Sequence, residues 1–387
     1  KNHKNHKQLN TNFHYLIRLI KTESKLRFIN KTLRFWLYLI TQRKALFNVF
    51  YSRKRKSIIS ILKEVLLLWR YWKLFPFHYF RYKLYLDKGR GIEDLYLYVP
   101  EFYFDNIIIP HYNSWLMRLF LSDKVQMSKF LNAYKIPLAN MILYAENGNL
   151  FSLNNIIINS SNFDSIIKKV NSKKIFLKPA QGSGGNGIIV FTNVSGIYYN
   201  KKERLDFNLL HKKSLEFDFL LESGIQQYDV LQSYNSSSIN TLRIITLFIN
   251  GEVRPLKGVL RMGRKDFDVD NSAQGGISCE LDILTWKLKS LGTSEHPVAD
   301  YTEHPDSNVP FNKNLDFKNE TIALIQKVGL LFPSCRVIGW DIVLTPDGPH
   351  ILEINPGFGI DHIQISCKQG LAEQLLEIDR SGKKEFL

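Results

Sequence analysis

The chain has 387 residues, 44% of them hydrophobic and 13% aromatic, enough for two or three domains with buried cores. Its three cysteines, Cys279, Cys335 and Cys367, are too widely spaced for a disulfide framework and fit a reducing cytoplasm, and no Cys/His cluster has zinc spacing. The net charge of +16 is concentrated in residues 1–90, where 22 Lys plus Arg face only Glu23, Glu64 and Asp87; the remainder is nearly neutral, which argues against nucleic acid as its substrate.

Residues 1–95 read as a basic, mainly α-helical segment. Apolar residues recur at three- and four-residue steps through Phe28, Leu33, Phe35, Leu37, Leu39 and Ile40, and again through Ile58, Ile61, Leu62, Val65, Leu66, Leu68, Trp69 and Trp72. Basic and aromatic side chains interleave from Arg53 to Lys56, from Trp69 to Lys73 and from Phe77 to Tyr85. A basic amphipathic helix with Trp and Tyr suits a membrane surface. A helical cap that buries its aromatics on the rest of the chain explains the same residues, and both readings can hold together. Nucleic-acid binding would use the same charge but is not expected. The longest apolar run, Val65 to Trp69, is far short of the roughly 20 residues of a membrane span. Lys1 to Lys7 imitate the start of a signal peptide, but no apolar run or cleavage site follows. The expected location is cytoplasmic, peripheral on the inner face of the membrane.

Residues 96–140 form a short lead-in, with a helix from Trp115 or Asp123 to Lys135. Strands from Lys174 to Leu177 and from Ile188 to Thr192 flank a loop with glycines at 182, 184, 185 and 187. A Walker A loop opens a helix; this one joins two strands, and its bare N–H groups can approach phosphate oxygens. An ordinary glycine-rich hairpin is the plainer reading. Arg243 lies in a β-type run, Asn240 to Thr246, and Arg261 ends the neighbouring run from Glu252; pairing with a carboxylate and turn-making are their plainer roles. Asp270 to Ile277 is a polar glycine loop. His296, Asp300, Glu303 and His304 read as a surface loop. Val337 to Leu344 reads as a buried strand carrying Asp341, Thr345 to Pro349 as a hairpin turn, and His350 to Ile354 as the return strand. Glu353 and Asn355 are two apart and share one face. Acids among Ile, Val and Leu are costly to bury without a counter-ion, and Mg²⁺ takes such oxygen ligands together with phosphates. Acids facing solvent are the alternative. His362 and Cys367 follow the Asn355-Pro356-Gly357 turn on a helix face.

The Lys178 loop and the Asp341, Glu353, Asn355 hairpin, in this order, resemble the ATP-grasp superfamily from about Leu121 onward. The resemblance implies an α+β fold of two lobes gripping ATP, with residues 141–220 as the first lobe and 221–387 as the second. Ser122-Asp123-Lys124 resembles the segment leading into the grasp, which puts Lys124 and Lys178 on the phosphates beneath Gly182, Ser183, Gly184 and Gly185. Leu220-Leu221-Glu222-Ser223 resembles the hinge; backbone groups at Leu221 would read adenine and Glu222 the ribose, with Gln226 and Gln227 close by. Arg243 and Arg261 fall where cations neutralise the transferring phosphoryl group, and Asp341, Glu353 and Asn355 where Mg²⁺, or Mn²⁺, is held. The Asn240-Thr241-Leu242-Arg243 strand, the loop with Asp270, Asn271, Gly275 and Gly276, and the Trp340-Asp341 and Glu353-Ile354-Asn355-Pro356-Gly357 motifs are most similar to the sugar-transfer-associated ATP-grasp family. Its members are predicted to act in cell-surface polysaccharide biosynthesis, such as capsule.

This resemblance implies phosphorylation of a carboxylate by ATP, then attack by an amine to give an amide, ADP and phosphate. Such chemistry needs positioning and charge neutralisation rather than a protein nucleophile. Arg243 or Arg261 would stabilise the acyl phosphate, the Asp270 to Gly276 loop would face the acceptor, and closure of the glycine flap would exclude water. No general base stands out. The implied substrates are an amino acid and a sugar, free or lipid-linked. The lead-in is short for the domain that precedes the grasp, and the amino-terminal helices could stand in for it in acceptor binding. A kinase acting on a hydroxyl and a nucleotide-gated, non-catalytic partner of a glycosyltransferase are the other readings.

Overall fold

The computed structural model describes residues 46, 49–50, 52–182, 185, 187–201, 203–265, 275–295 and 298–382. The apolar run from Phe28 to Ile40 therefore lies outside the described residues. Helix α1 (Ile58–Trp72) starts where the Ser57 hydroxyl accepts from the Ser60 N–H, and it stops at Lys73, whose left-handed backbone closes the last turn. Helix α2 (Phe77–Arg81) and shorter helical turns carry the chain to Tyr112, followed by α3 (Trp115–Ser122) and α4 (Lys124–Ala133). Asp123 separates these two and caps α4, accepting from the Val125 and Gln126 N–H groups.

The first sheet contains β1 (Met141–Glu146), β2 (Asn149–Ser152), β3 (Ile157–Ile158), β4 (Lys174–Pro179), β5 (Ile189–Val194), β6 (Ile197–Asn200), β7 (Glu203–Arg204) and β8 (Phe219–Ser223). Its spatial order is β3-β2-β1-β8-β4-β5-β6-β7. Helices α5 (Ser160–Ile167) and α6 (Phe207–Ser214) add Phe163 and Leu210 to a core with Leu143, Leu177 and Leu221. Because β8 is hydrogen-bonded between β1 and β4, this sheet runs through Ser223.

The second sheet contains β9 (Thr241–Ile249), β10 (Glu252–Met262), β11 (Ile277–Asp282), β12 (Lys287–Glu295), β13 (Val298–Tyr301), β14 (Val337–Thr345) and β15 (Gly348–Asn355). Its order is β13-β12-β11-β10-β9-β14-β15. On one face α7 (Lys318–Gly329) packs Leu324, Ile325 and Val328 against Leu242, Ile244, Trp340 and Ile342. The other face presents Ile245, Leu247, Ile249, Val259 and Val337 to α8 (Asp361–Ser366), α9 (Ala372–Gly382) and the amino-terminal helices, which contribute Leu68, Trp72, Tyr79, Tyr103 and Phe104. Burial on both faces explains why β9 and β14 are mostly apolar on both sides, with Arg243 and Asp341 as their charged residues.

The amino-terminal helices are thus a cap on the second lobe. One core runs from Val49 to Tyr112 and on into β9, α8 and α9, so it crosses residue 95 without a break. No described helix is long and apolar enough to cross a membrane. His304, read above as a surface-loop residue, is instead buried, with Nε2 3.0 Å from the Gly263 carbonyl.

Candidate active site

A cleft of about 370 Å³ opens between the two sheets. On the first sheet, Phe176 faces Glu222 across the β4–β8 ladder, and Lys178 lies two residues further on the same face. Lys178 Nζ is 2.5 Å from Glu222 Oε2. The glycine loop leaves β4 at Pro179 and returns at Ile189, as a strand-to-strand flap. Lys124, first residue of α4, is tied to the start of this flap: its N–H donates to the Ala180 carbonyl at 2.8 Å and its Nζ to the Gly182 carbonyl at 2.6 Å. The same Nζ lies 3.6 Å from Glu353 Oε1. One lysine therefore joins the glycine flap to the acidic hairpin.

That hairpin has the form its sequence predicts. Pro346 and Asp347 turn the chain between β14 and β15, and Gly348 at φ 114° takes a backbone angle that side chains avoid. Register then sets the chemistry. Arg243 on β9, Asp341 on β14 and Glu353 on β15 are direct cross-strand neighbours, so their side chains share one face in one row. Arg243 holds Asp341 with two bonds, Nε to Oδ1 at 2.5 Å and Nη2 to Oδ2 at 2.8 Å. Asn355 Nδ2 donates to Oδ2 at 3.2 Å, and Arg261 Nη1 lies 3.5 Å from Oδ1.

Burial pushes the Asp341 carboxyl up, but the Arg243 and Arg261 charges overcome it and hold the group below the usual carboxylate range. Glu353 is moved the other way. Burial and then the neighbouring Asp341 charge raise it, with Lys124, Arg243 and Lys178 opposing. A divalent cation relieves that repulsion, so these residues fit one. Glu353 keeps oxygen capacity for it, whereas Asp341 would bind it only by sharing oxygens already taken by Arg243. Among the described residues no group of three or more His, Cys, Asp or Glu forms an all-protein metal cage.

A family model described as sugar-transfer associated ATP-grasp matches residues 103–380. The chain belongs to the sugar-transfer associated ATP-grasp family. Solved structures with a similar fold include D-alanyl-alanine synthetase A from Vibrio cholerae, at 12% identity over 67% of this chain and 65% of that one, with a TM-score of 0.38. Another is the biotin carboxylase domain of the Hydrogenobacter thermophilus 2-oxoglutarate carboxylase, solved with MgADP, ADP and bicarbonate, at 12% identity over 68% and 47%, with a TM-score of 0.41. The chain thus spans less than two thirds of the length of these structures. No curated protein sequence matches it.

Within the cleft of this ATP-grasp chain, Lys124, Lys178, Gly182, Gly185, Glu222, Arg243, Arg261, Asp341, Glu353 and Asn355 come together. Ser183, Gly184, Asp270 and Asn271 lie outside the described residues. Gly275 and Gly276 precede β11 and do not line the cleft. Leu221 is not the hinge contact expected. Its side chain is buried in the first lobe's core, its backbone lies inside the sheet, and the cleft is lined further on, by Ser223, Gly224 and Ile225.

Gln227 is also displaced from its expected role. It is buried outside the cleft, where its Nε2 donates to the Asn235 and Ser238 carbonyls and its Oε1 accepts from Asn240. Gln226 is exposed and does not line the cleft either. Among the described residues, none of the cap lines the main cleft. The apolar wall of Met127, Phe176, Ile188, Ile225 and Leu352 escaped the sequence reading, since single apolar residues on strands carry no sign of which ones face a ligand.

Proposed function

We propose that the chain is an ATP-dependent carboxylate–amine ligase that uses MgATP and forms ADP. It would join an amino acid and a sugar of a cell-surface polysaccharide precursor. The observation that carries this reading is Lys124, which bonds the glycine flap and approaches the acid of the hairpin at the same time. A nucleotide laid in the cleft would place adenine against Phe176, Ile188 and Leu352 beside Ser223 to Ile225, its ribose at Glu222, and its phosphates at Lys178, Lys124 and the flap. Glu353, Asn355 and Asp341 would hold Mg²⁺, which supplies charge neutralisation at the phosphates. Arg243 and Arg261 would then serve the acyl phosphate, with Arg243 released in part from Asp341 as the cation shares that carboxylate.

The outer face of α1 supports a place at an anionic membrane surface. Ile59, Leu62, Leu66 and Trp69 are 81%, 63%, 64% and 51% exposed along one side of the helix. Exposed Arg53, Lys54, Lys63, Arg70 and Lys73 flank them, while the one acid, Glu64, turns inward to Lys56 and Tyr79. This is the pattern of an interfacial helix, and it fits a lipid-linked substrate.

The test is a screen of the purified chain with MgATP and amino acids paired with uronic acids or amino sugars, with Glu353→Ala as the blank. A product equal to the two partners minus water, with ADP, is expected. A phosphorylated product without an amine would make the chain a kinase, and MgATP binding without turnover on free or lipid-linked pairs would favour the non-catalytic reading.

A further inference from the structure

A second, smaller recess of about 160 Å³ adjoins the phosphate end of the cleft. It shares Gly182, Glu353, Asn355 and Gly357 with the main cleft and adds Arg118 and Ser122 of α3. Helix α3 ends at Ser122, and after Asp123 the chain enters α4 at Lys124, so Arg118 lies on the helix immediately before the one that carries the flap lysine. The recess lies at the reacting end, away from the hinge at Glu222 to Ile225.

Arg118 stands apart from the other cations here. Lys124 bonds the Gly182 carbonyl, Lys178 pairs with Glu222, and Arg243 and Arg261 both attend Asp341. Arg118 makes no ion pair with any described residue, and its Nε is buried without a hydrogen-bond partner. A guanidinium N–H taken out of water without an acceptor is costly. Its planar fork matches the two oxygens of a carboxylate or phosphate. The recess has room for a few heavy atoms, since a water occupies about 30 Å³.

We propose that Arg118 and this recess form a subsite for an oxyanion carried by the non-nucleotide substrate, either a carboxylate or a phosphate ester. The proposal rests on the nucleotide reading of the main cleft. Arg118 reaches the reacting end from the side opposite Arg243 and Arg261, so it orients the second substrate against the phosphates without taking part in nucleotide binding.

The experiment titrates the full chain, with and without saturating MgADP, with acetate and with inorganic phosphate at constant ionic strength, by calorimetry. Wild type, Arg118→Gln and Arg118→Lys are compared, and MgADP affinity is measured separately for each. At least one anion should bind the wild type, and its identity separates a carboxylate ligand from a phosphate ester. Arg118→Gln should weaken that binding about tenfold or more, the scale of a lost charge-assisted bond. Arg118→Lys should recover only part of it, and MgADP affinity should stay within about twofold throughout. No anion binding by the wild type, or equal binding by Arg118→Gln, overturns the subsite. A parallel loss of MgADP affinity overturns it too, by making Arg118 a nucleotide contact. Failure of the wild type to bind MgADP would remove the nucleotide reading, while the titration without nucleotide would still decide on Arg118.

Discussion

Breaking the Arg243–Asp341 pair gives the sharpest test of the site's electrostatics. Both side chains are only 8% exposed, and Arg243 fills both carboxylate oxygens. Arg243→Met therefore leaves a buried carboxylate with Asn355 at 3.2 Å and Arg261 at 3.5 Å. Removing one member of a buried pair costs about 3–5 kcal/mol; the two remaining contacts reduce this to about 2–4 kcal/mol. The folded Asp341 carboxyl sits below its usual value, so the pair's stabilisation is complete above the unfolded carboxylate range and is lost as pH falls through the lowered folded value. In the variant, burial dominates and the carboxyl rises, so the deficit is largest at neutral pH and shrinks as acid protonates Asp341.

The assay is urea unfolding followed by tryptophan fluorescence, with buried Trp340 beside Asp341 on β14, for wild type, Arg243→Met, Asp341→Leu and the double variant. The double should cost at least about 2 kcal/mol less than the sum of the singles, since removing both partners leaves no stranded charge. Additivity within about 0.5 kcal/mol, or a deficit that does not change with pH, would refute the pairing.

Three further expectations follow from the structure. Lys124→Met and Lys178→Met should each weaken MgADP binding about tenfold or more by calorimetry, and values within twofold of wild type would remove them from the phosphate site. The double change Leu62→Glu with Leu66→Glu should abolish sedimentation with phosphatidylglycerol-containing vesicles, and wild-type binding should fall as salt is raised; unchanged sedimentation of the variant would sink the membrane reading. Glu101 is raised well above the usual range by burial and by the Asp361 charge, with Arg81 opposing. The folded chain therefore holds a proton there that the unfolded chain releases, and stability falls as pH rises from the ordinary glutamate range towards the raised value. Glu101→Gln keeps a neutral donor and should flatten this slope, matching wild type near about pH 4 and exceeding it increasingly as pH rises, as read by thermal melts; an identical slope in the variant would exclude Glu101 as its cause.

The parts of the site legible in the sequence were those set by local chain chemistry. The hairpin showed itself through Pro346 and Gly348 between apolar runs, and the flap through its glycines between strands. Lys124 was picked out only by the resemblance of Ser122-Asp123-Lys124 to the segment leading into the grasp. The pairing of Arg243 with Asp341 was not, because it depends on the register of β9 against β14, set across 98 residues by the packing of both faces. Gln227 misled through nearness in sequence to the hinge; its amide instead satisfies carbonyls of the polar turn at Asn235 to Ser238, a demand visible only once that turn is folded. His304 misled likewise, since its polar neighbours conceal that the ring is buried between the Gly263 carbonyl and the Asp306 N–H. On α1 the apolar spacing divides between two faces. Ile61, Leu68 and Trp72 go to the core, while Ile59, Leu62, Leu66 and Trp69 stay outside.

The described residues of the cap bear on the site without lining the main cleft. The turn after Asn355 puts Gly357, Phe358 and Gly359 on the cleft, and the Phe358 ring packs 5.1 Å from Phe104 of the cap. A Cβ on Gly339 would meet that ring at 2.8 Å, so Phe358 is held against β14 as closely as a side chain can be. Arg81 of α2 donates a hydrogen bond to Glu101 and ion-pairs with Asp361, and Asp361 begins α8 beside His362, whose ring feels the Arg243 and Arg261 charges. The family match begins at residue 103, yet Leu68, Trp72, Tyr79 and Tyr85 belong to the same core as Phe358 and Ile363. The folding unit is therefore larger than the matched region. A chain begun at Ser114 would lose Leu68, Trp72, Tyr79, Tyr103 and Phe104 from the core they share with Phe358, Ile363 and Leu375, leaving apolar surface of the kind that drives association. It should be insoluble or aggregated by size-exclusion chromatography; a monomeric fragment that still binds MgADP would show that the cap is an appendage, and the coupling from Arg81 to the cleft would fall with it.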